Sequence, residues 1–259
     1  MARPEAPASH DDRPLADILG EAQRILERAS ALALPIRLMG GLAIRLHASG
    51  SPRPALAREF KDIDLATERG KSREASEFIA SIGYAADNTF NTMNAGRRGL
   101  FYDVEHGRQL DLFVGTFEMC HRVPIADRFH ADPRTIPLAE LLLTKLQIIE
   151  LNEKDLRDIF ALLIDHDVGT HDADTVNAAY IAKLCSDDWG LWRTSKLNIQ
   201  RAHAGLDQFA LSPEERRLLG ERLEALWRHI DEAPKSRRWK LRDRLGDRVR
   251  WYEEPEEVG

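Results

Sequence analysis

The segment KDIDLA, residues 61–66, decides which fold the sequence predicts. Polar and apolar residues alternate along it, which predicts a β-strand because successive side chains of a strand point to opposite faces of a sheet. Asp62 and Asp64 then share one face, whereas Ile63 and Leu65 point into the core. We therefore predict that two carboxylates lie side by side on this strand.

Two neighbouring carboxylates repel each other, and the arrangement is costly unless a cation lies between them. Hard oxygen ligands of this kind suit Mg²⁺. The alternative is that Asp62 and Asp64 lie on the solvated face of an edge strand. Asp111, in the apolar segment QLDLF at 109–113, is predicted to add a third carboxylate, although a lone Asp on such a strand is more often simply exposed.

Two glycines precede this strand in the chain. Residues 36–39 (IRLM) predict a short strand that runs into Gly40 and Gly41, and a helix is predicted from Leu42 to His47. Glycines at such a position allow backbone N–H groups to approach a phosphate, and a helix N-terminus adds positive partial charge. The alternative is an ordinary turn between a strand and a helix.

The remaining pattern predicts an α+β protein. We expect a helix at 15–33, a loop at 49–58, a helix at 71–82, and an antiparallel hairpin of strands at 100–105 and 108–114. From Pro137 onward the spacing of apolar residues predicts helices and no strand. These helices are predicted at 137–151, 153–166, 174–185, 187–203, 212–231 and 236–246.

The predicted elements divide the chain into three parts. Residues 1–14 are expected to be a disordered tail, residues 15–135 an α/β catalytic domain with a mixed sheet, and residues 136–259 an all-helical domain that completes the site. With 43% apolar and 31% charged residues, the chain of 259 residues has the composition of a soluble protein.

Several classes of protein are excluded by composition. No apolar run approaches the ~18–20 residues of a membrane-spanning helix, and the N-terminal stretch lacks the apolar core of a secretory signal. Cys120 and Cys185 are the only cysteines and have no C-x-x-C spacing, which argues against a zinc site or a disulfide framework. We therefore expect a cytoplasmic location and no membrane partner.

A second group of charged residues lies in the helical half. Lys145 needs an anionic partner, which a triphosphate would supply, unless its ammonium reaches water past its stem. Lys154, Asp155 and Asp158 can share one face of the next helix, or form a surface ion pair. The apolar helical neighbours of Lys145 are Leu141, Leu142, Ile148 and Ile149.

The order of these motifs resembles the DNA polymerase β-like nucleotidyltransferase superfamily. The resemblance implies a nucleotidyltransferase-type mixed sheet, with Gly40 and Gly41 holding the phosphates of an NTP. It implies that Asp62 and Asp64 bind metal, and that Asp111 helps to bind metal and to activate the attacking hydroxyl. Two Mg²⁺ ions are then expected, because such a pair stabilises both the attacking and the leaving oxygen.

Residues 141–158 resemble the later motifs of AbiEii-type nucleotidyltransferases, the toxins of type IV toxin–antitoxin systems. That resemblance implies that Lys145, Lys154 and Asp155 bind nucleotide, and that Asp158 or Asp155 acts as a base or holds Lys145. It implies a cognate antitoxin and an RNA or protein acceptor. Two alternatives remain: an aminoglycoside-type enzyme that modifies a small molecule, and a non-catalytic nucleotide-binding module of the same fold.

The C-terminal segment from Lys235 to Arg250 is basic. It contains eight Lys or Arg and two Asp in a chain whose net charge is −6. Basic residues interleaved with aromatic ones suit RNA, so tRNA is a candidate partner of this segment. The alternative is a terminal amphipathic helix in which Trp239 and either Leu241 or Leu245 dock inward.

Overall fold

The computed structural model of the protein describes residues 13–48 and 53–254. The described residues form ten α-helices and nine β-strands. The helices are α1 (Ile18–Ala31), α2 (Gly40–His47), α3 (Ser72–Ser81), α4 (Asn88–Met93), α5 (Leu138–Leu146), α6 (Glu153–Asp165), α7 (Ala178–Asp187), α8 (Trp189–Gly205), α9 (Pro213–Glu232) and α10 (Arg237–Asp243). The strands are β1 (Ile36–Met39), β2 (Asp62–Thr67), β3 (Ala85–Ala86), β4 (Arg98–Asp103), β5 (Arg108–Val114), β6 (Thr116–Glu118), β7 (Arg122–Pro124), β8 (Asp167–Gly169) and β9 (Thr175–Asn177).

The main sheet has five strands in the order β1-β2-β5-β4-β3. Strands β2 and β5 are parallel, and the other neighbours are antiparallel, so the sheet is mixed. The strand that carries the Asp–x–Asp pair lies between β1 and β5, which rules out the edge-strand alternative. The α+β class, a mixed sheet followed by a mainly helical region, is confirmed.

One hydrophobic core joins the sheet to the helical half of the chain. Ile63, Leu65, Leu110 and Leu112 are at most 1% exposed and belong to the same cluster as the buried residues of α5–α9. Helix α2 lies between the two halves, since it packs on β1 and β2 and also on α5 and α6. A displacement of α2 would therefore change both the sheet and the helices at once.

Local signals explain where the helices begin. Asn152 caps α6, and the side chain of Asp155 accepts a hydrogen bond from the Asn152 backbone N–H in return, which forms a capping box. Helix α5 is apolar on almost every side because it is buried among α2, α6, α7 and α8. Lys145 is the one residue of α5 that is only partly buried.

The structure corrects several sequence predictions. The prediction of no strand after Pro137 is wrong, because β8 and β9 form a short parallel pair. The residues of β9 take up the start of the helix predicted from 174, which therefore begins at Ala178. The hairpin is confirmed between β4 and β5, but β6, β7 and α4 were not predicted.

Parts of two other predictions lie outside the described residues. The tail predicted at 1–14 is described only at Arg13 and Pro14, and the loop predicted at 49–58 is described from Arg53 onward. That described part contains a 3₁₀ turn at 54–56. Within the described chain no helix is long and apolar enough to cross a membrane. Both cysteines are buried and free.

The shared core yields a stability prediction. Phe160 in α6 is 0% exposed and packs edge-on against Phe209, with ring centroids 5.2 Å apart. We expect Phe160→Ala to lower the free energy of unfolding by about 3–5 kcal/mol, because it leaves a large cavity. Urea denaturation followed by circular dichroism measures this. The matched control Leu241→Ala, at a side chain 61% exposed, should cost less than about 0.5 kcal/mol.

Candidate functional site

The three predicted carboxylates are brought together by the register of β2 and β5. Asp64 lies directly opposite Asp111 in the parallel ladder, and Asp62 is two residues earlier on the same face of β2. Asp62 is exposed, Asp64 is half-buried, and Asp111 is buried. The strand pairing therefore places three acidic groups on one face of the sheet.

The pKa of Asp64 shows how strongly the neighbouring negative charges act on it. Burial, together with the neighbouring charges of Asp62 and Asp111, raises the pKa of Asp64 to about 7. Lys145 and Arg98 act in the opposite direction but do not offset these effects. At neutral pH this carboxyl group is therefore poised to take up positive charge, as a proton or as a cation.

Gly40 lies against Asp64 and begins helix α2. Its φ is +67°, and a Cβ at this position would overlap Asp64 Oδ2. Helix α2 has no side-chain N-cap and no acidic residue in its first turn. The positive end of the helix therefore lies beside Asp64, with no acidic side chain in its own first turn to offset it.

Asp111 is already held by two neighbours. Arg98 Nε donates a hydrogen bond to Oδ1 at 2.7 Å, and Gln109 Nε2 donates one to Oδ2 at 2.7 Å. The guanidinium of Arg98 also lies over the ring of Phe113, 5.0 Å from its centroid. Within the described ranges, no three His, Cys, Asp or Glu side chains are grouped so as to hold a metal ion. A cation that binds Asp111 must therefore compete with Arg98.

Lys145 lies among carboxylates. Its Nζ is 3.1 Å from Asp155 Oδ1 and 2.9 Å from Asp158 Oδ2. Burial favours the neutral amine, but Asp158 and Asp155 outweigh it and raise the pKa of Lys145. The predicted need for an anionic partner is thus met within the protein, and the influence of Lys145 on Asp64 places its charge near the acidic cluster.

Both oxygens of Asp158 are engaged by cations, which stabilises the ionised form and disfavours the role of a base. Arg58 Nε donates to Oδ1 at 2.8 Å and Arg58 Nη2 to Oδ2 at 2.9 Å, while Lys145 also contacts Oδ2. This geometry fits the alternative in which Asp158 holds Lys145. Lys154 is exposed and forms no ion pair in the part of the chain that the structure describes, so it does not join this cluster.

Sequence reasoning missed three residues of the site: Arg58, Arg98 and Gln109. Gln109 had a usable signal, because it precedes Asp111 by two residues on a strand and so shares its face. Arg98 and Arg58 had none, since their partners Asp111 and Asp158 are 13 and 100 residues away in the chain. Such pairs follow from the packing of elements and not from local spacing.

The basic C-terminal segment is folded onto α8. Trp239 is 8% exposed and packs on Trp192, with ring centroids 5.1 Å apart, so its predicted docking is confirmed. The prediction that Leu241 or Leu245 docks inward is wrong, because these side chains are 61% and 48% exposed. The side chains of five exposed cations of the segment form no hydrogen bond or ion pair within the described ranges: Arg237, Arg238, Lys240, Arg244 and Arg248.

No protein-family model and no curated protein sequence matches the chain. Among solved structures, the chain is similar to an antigenic nucleotidyltransferase-like protein from Paracoccidioides brasiliensis. The sequence identity is 16% and the TM-score 0.41, over 85% of this chain and 95% of that chain. A likeness at this TM-score does not assign a family, so the functional proposal rests on the geometry of the site.

The contact between Gly40 and Asp64 can be separated from backbone strain. Gly96→Ala, at φ +76° with open space around it, should cost about 1–2 kcal/mol for strain alone. Gly40→Ala should cost a further ~1–3 kcal/mol, because the new methyl group overlaps Asp64. Urea denaturation of Gly40→Ala, Asp64→Ala and the double variant measures the coupling. Equal costs at the two glycines would contradict the close contact.

The raised pKa of Asp64 also predicts how stability depends on pH. Its pKa is higher in the folded chain than in the unfolded chain, so the folded state binds more protons between about pH 4 and pH 7. Stability therefore falls as pH rises through this range. Thermal unfolding without divalent cations should show Asp64→Asn gaining stability over the wild type as pH rises, most of all above pH 7.

Asp62→Asn is the companion variant for that experiment. It removes a charge that raises the pKa of Asp64, so the fall in stability should move to lower pH. Parallel stability curves for the wild type and Asp64→Asn would show that Asp64 titrates normally.

Proposed function

We propose that the chain is a Mg²⁺-dependent nucleotidyltransferase, which moves a nucleotidyl group from an NTP to an acceptor hydroxyl. One observation carries the proposal: Asp64 lies opposite Asp111 while the backbone of Gly40 packs against it. The N-terminus of α2, which no side chain caps, thus lies next to an acidic cluster whose negative charge is only partly offset by nearby cations. The first suits phosphate groups and the second suits divalent cations.

Mg²⁺ fits the chemistry of this donor set, although the three side chains would have to move together to share one ion, since they are not grouped for it in the described chain. Asp62, Asp64 and Asp111 offer only hard oxygen donors, and Arg98 is the one cation hydrogen-bonded to any of them in the described chain. These three carboxylates would hold the metal. Bound there, Mg²⁺ supplies compensation for the charge that develops on the attacking and leaving oxygens during transfer at phosphorus. The excess acid charge that raises the pKa of Asp64 supports this assignment.

The remaining predicted residues have distinct roles in the proposal. Gly40 and Gly41 present backbone N–H groups to the phosphates, and Lys145 contributes positive charge from α5. Asp155 and Asp158 position Lys145 through their ion pairs and do not remove a proton. Lys154, exposed at the start of α6, would meet the nucleotide only at its outer end.

A second candidate function has its own support. Both oxygens of Asp111 accept hydrogen bonds, from Arg98 and from Gln109. A site in which Arg98 permanently replaces a metal ion would bind a nucleotide without transferring it. The non-catalytic nucleotide-binding module is therefore the alternative to the enzyme.

The acceptor is the finer part of the proposal. The exposed, unpaired cations between Arg237 and Arg248 offer charge for an RNA backbone, and tRNA is the acceptor we favour. A toxin of this kind would be cytoplasmic and would have a cognate antitoxin protein as partner. A small-molecule acceptor, such as an aminoglycoside, would leave this basic surface without a role.

The experiment incubates the protein with Mg²⁺ and each labelled NTP, in the presence of total tRNA, total protein or aminoglycosides. We expect label on one acceptor class, and loss by at least about 100-fold in Asp62→Ala and Asp64→Ala, because even outer-shell partners of metal ligands contribute about 10–100-fold. The matched control is Asp87→Ala, which removes a carboxylate that caps α4 instead. It should leave transfer unchanged.

The outcomes separate the candidates. Calorimetric binding of NTP with Mg²⁺, but no labelled acceptor, would favour the non-catalytic module. Transfer that persists in both Asp variants would contradict the metal role. No NTP binding by the wild-type protein would contradict both the nucleotidyltransferase and the non-catalytic nucleotide-binding module.

A further inference from the structure

Arg58 occupies an unusual position between helices α2 and α6. It forms a two-point ion pair with Asp158, at 2.8 and 2.9 Å, and its guanidinium lies over the ring of Phe60, 4.5 Å from the centroid. Its other neighbour is Gly41, where a Cβ would overlap Arg58 Nη2. The guanidinium therefore rests on the backbone of the first turn of α2.

That position puts the Arg58 guanidinium next to the positive end of a helix. The N-terminus of a helix carries positive partial charge, and α2 has no acidic residue in its first turn to offset it. Lys145 adds a second cation, because it shares Asp158 with Arg58. Arg58 and Lys145 thus share Asp158, Lys145 also contacts Asp155, and the two cations lie beside a helix end that has no acidic residue of its own.

Arg58 also has N–H groups that Asp158 does not engage. A guanidinium offers five N–H groups in a planar fork, and Asp158 accepts from Nε and Nη2. Nη1 forms no hydrogen bond within the ranges that the structure describes, and the side chain keeps 16% of its surface exposed. Nη1 belongs to the same guanidinium whose Nη2 and Cζ approach Gly41, so an oxyanion bound at this helix start would have a donor available on Arg58.

We propose that Arg58 is a binding residue for the polyphosphate of the nucleotide, and that Asp158 is its positioning residue. The inference rests on the proposed function and adds to it a guanidinium that neither the glycine nor the Asp–x–Asp motif contains. Asp158 holds the planar fork next to Gly41. A lysine in place of Arg58 would keep the charge but lose the fork geometry that matches phosphate oxygens.

The chain contains a close structural match to this pair. Arg53 lies on the same segment and forms a two-point ion pair with Asp165 of α6, at 3.0 and 2.8 Å. Its side chain is 23% exposed, and both arginines line the same cavity of about 400 Å³. Two differences remain: Arg58 rests on Gly41, and Arg53 has a second carboxylate partner, Glu215, at 3.5 Å. Arg53 variants therefore control for the loss of a buried ion pair.

The experiment measures binding with Mg²⁺ by isothermal titration to the chain of 259 residues. The ligands are an NTP, inorganic triphosphate and the corresponding nucleoside, and the variants are Arg58→Lys, Arg58→Gln, Arg53→Lys and Arg53→Gln. We expect both Arg58 variants to weaken NTP and triphosphate binding by about 10–100-fold, as for loss of a hydrogen bond between charged groups. Nucleoside binding, and all binding by Arg53 variants, should stay unchanged.

Thermal unfolding of each variant accompanies the titrations. Should Arg58→Gln fail to fold, Arg58→Lys carries the comparison, since it keeps the charge beside Asp158. Equal losses in Arg53 and Arg58 variants would overturn the inference, because both would then act through structure. Unchanged triphosphate affinity in folded Arg58 variants would overturn it while the proposed function stands. No NTP binding by the wild-type protein would instead remove the proposed function itself.

Discussion

The repulsion between Asp64 and Asp111 is the constraint on which the rest of the site depends. Parallel pairing of β2 and β5 forces the two carboxylates to face each other, and Asp62 adds a third negative charge. Arg98 and Gln109 donate hydrogen bonds to Asp111. Asp64, in contrast, is destabilised as an anion by burial and by the like charges of Asp62 and Asp111. A fold keeps such an arrangement only if something positive adjoins it.

Helix α2 supplies that neighbour. Gly40 packs on Asp64, and the next residue, Gly41, packs on Arg58. The acidic cluster therefore meets the helix start at Gly40 and Arg58 meets it at Gly41, while Lys145 acts on Asp64 and also shares Asp158 with Arg58. Because α2 packs on the sheet and also on α5 and α6, one hydrophobic core holds these groups at the same helix end.

Local patterns predicted most of the fold. Alternation identified β2 and the β4–β5 hairpin, and apolar spacing identified the long helices, because both follow from the geometry of single elements. The short elements β6, β7, β8 and β9 span three residues each and escaped this reasoning. Three residues carry too little periodicity to predict a strand. The exposure of Leu241 and Leu245 was also missed, since it depends on how α10 docks.

The sequence by itself determined which acidic side chains share a face, and that glycines precede a helix. Both follow from bond geometry between residues close in the chain. The tertiary structure decided that Asp64 faces Asp111, that Arg98 holds Asp111, and that Arg58 reaches Asp158 across 100 residues of chain. Those pairings depend on strand register and helix packing, which are set by burial of the whole core and cannot be read from local spacing.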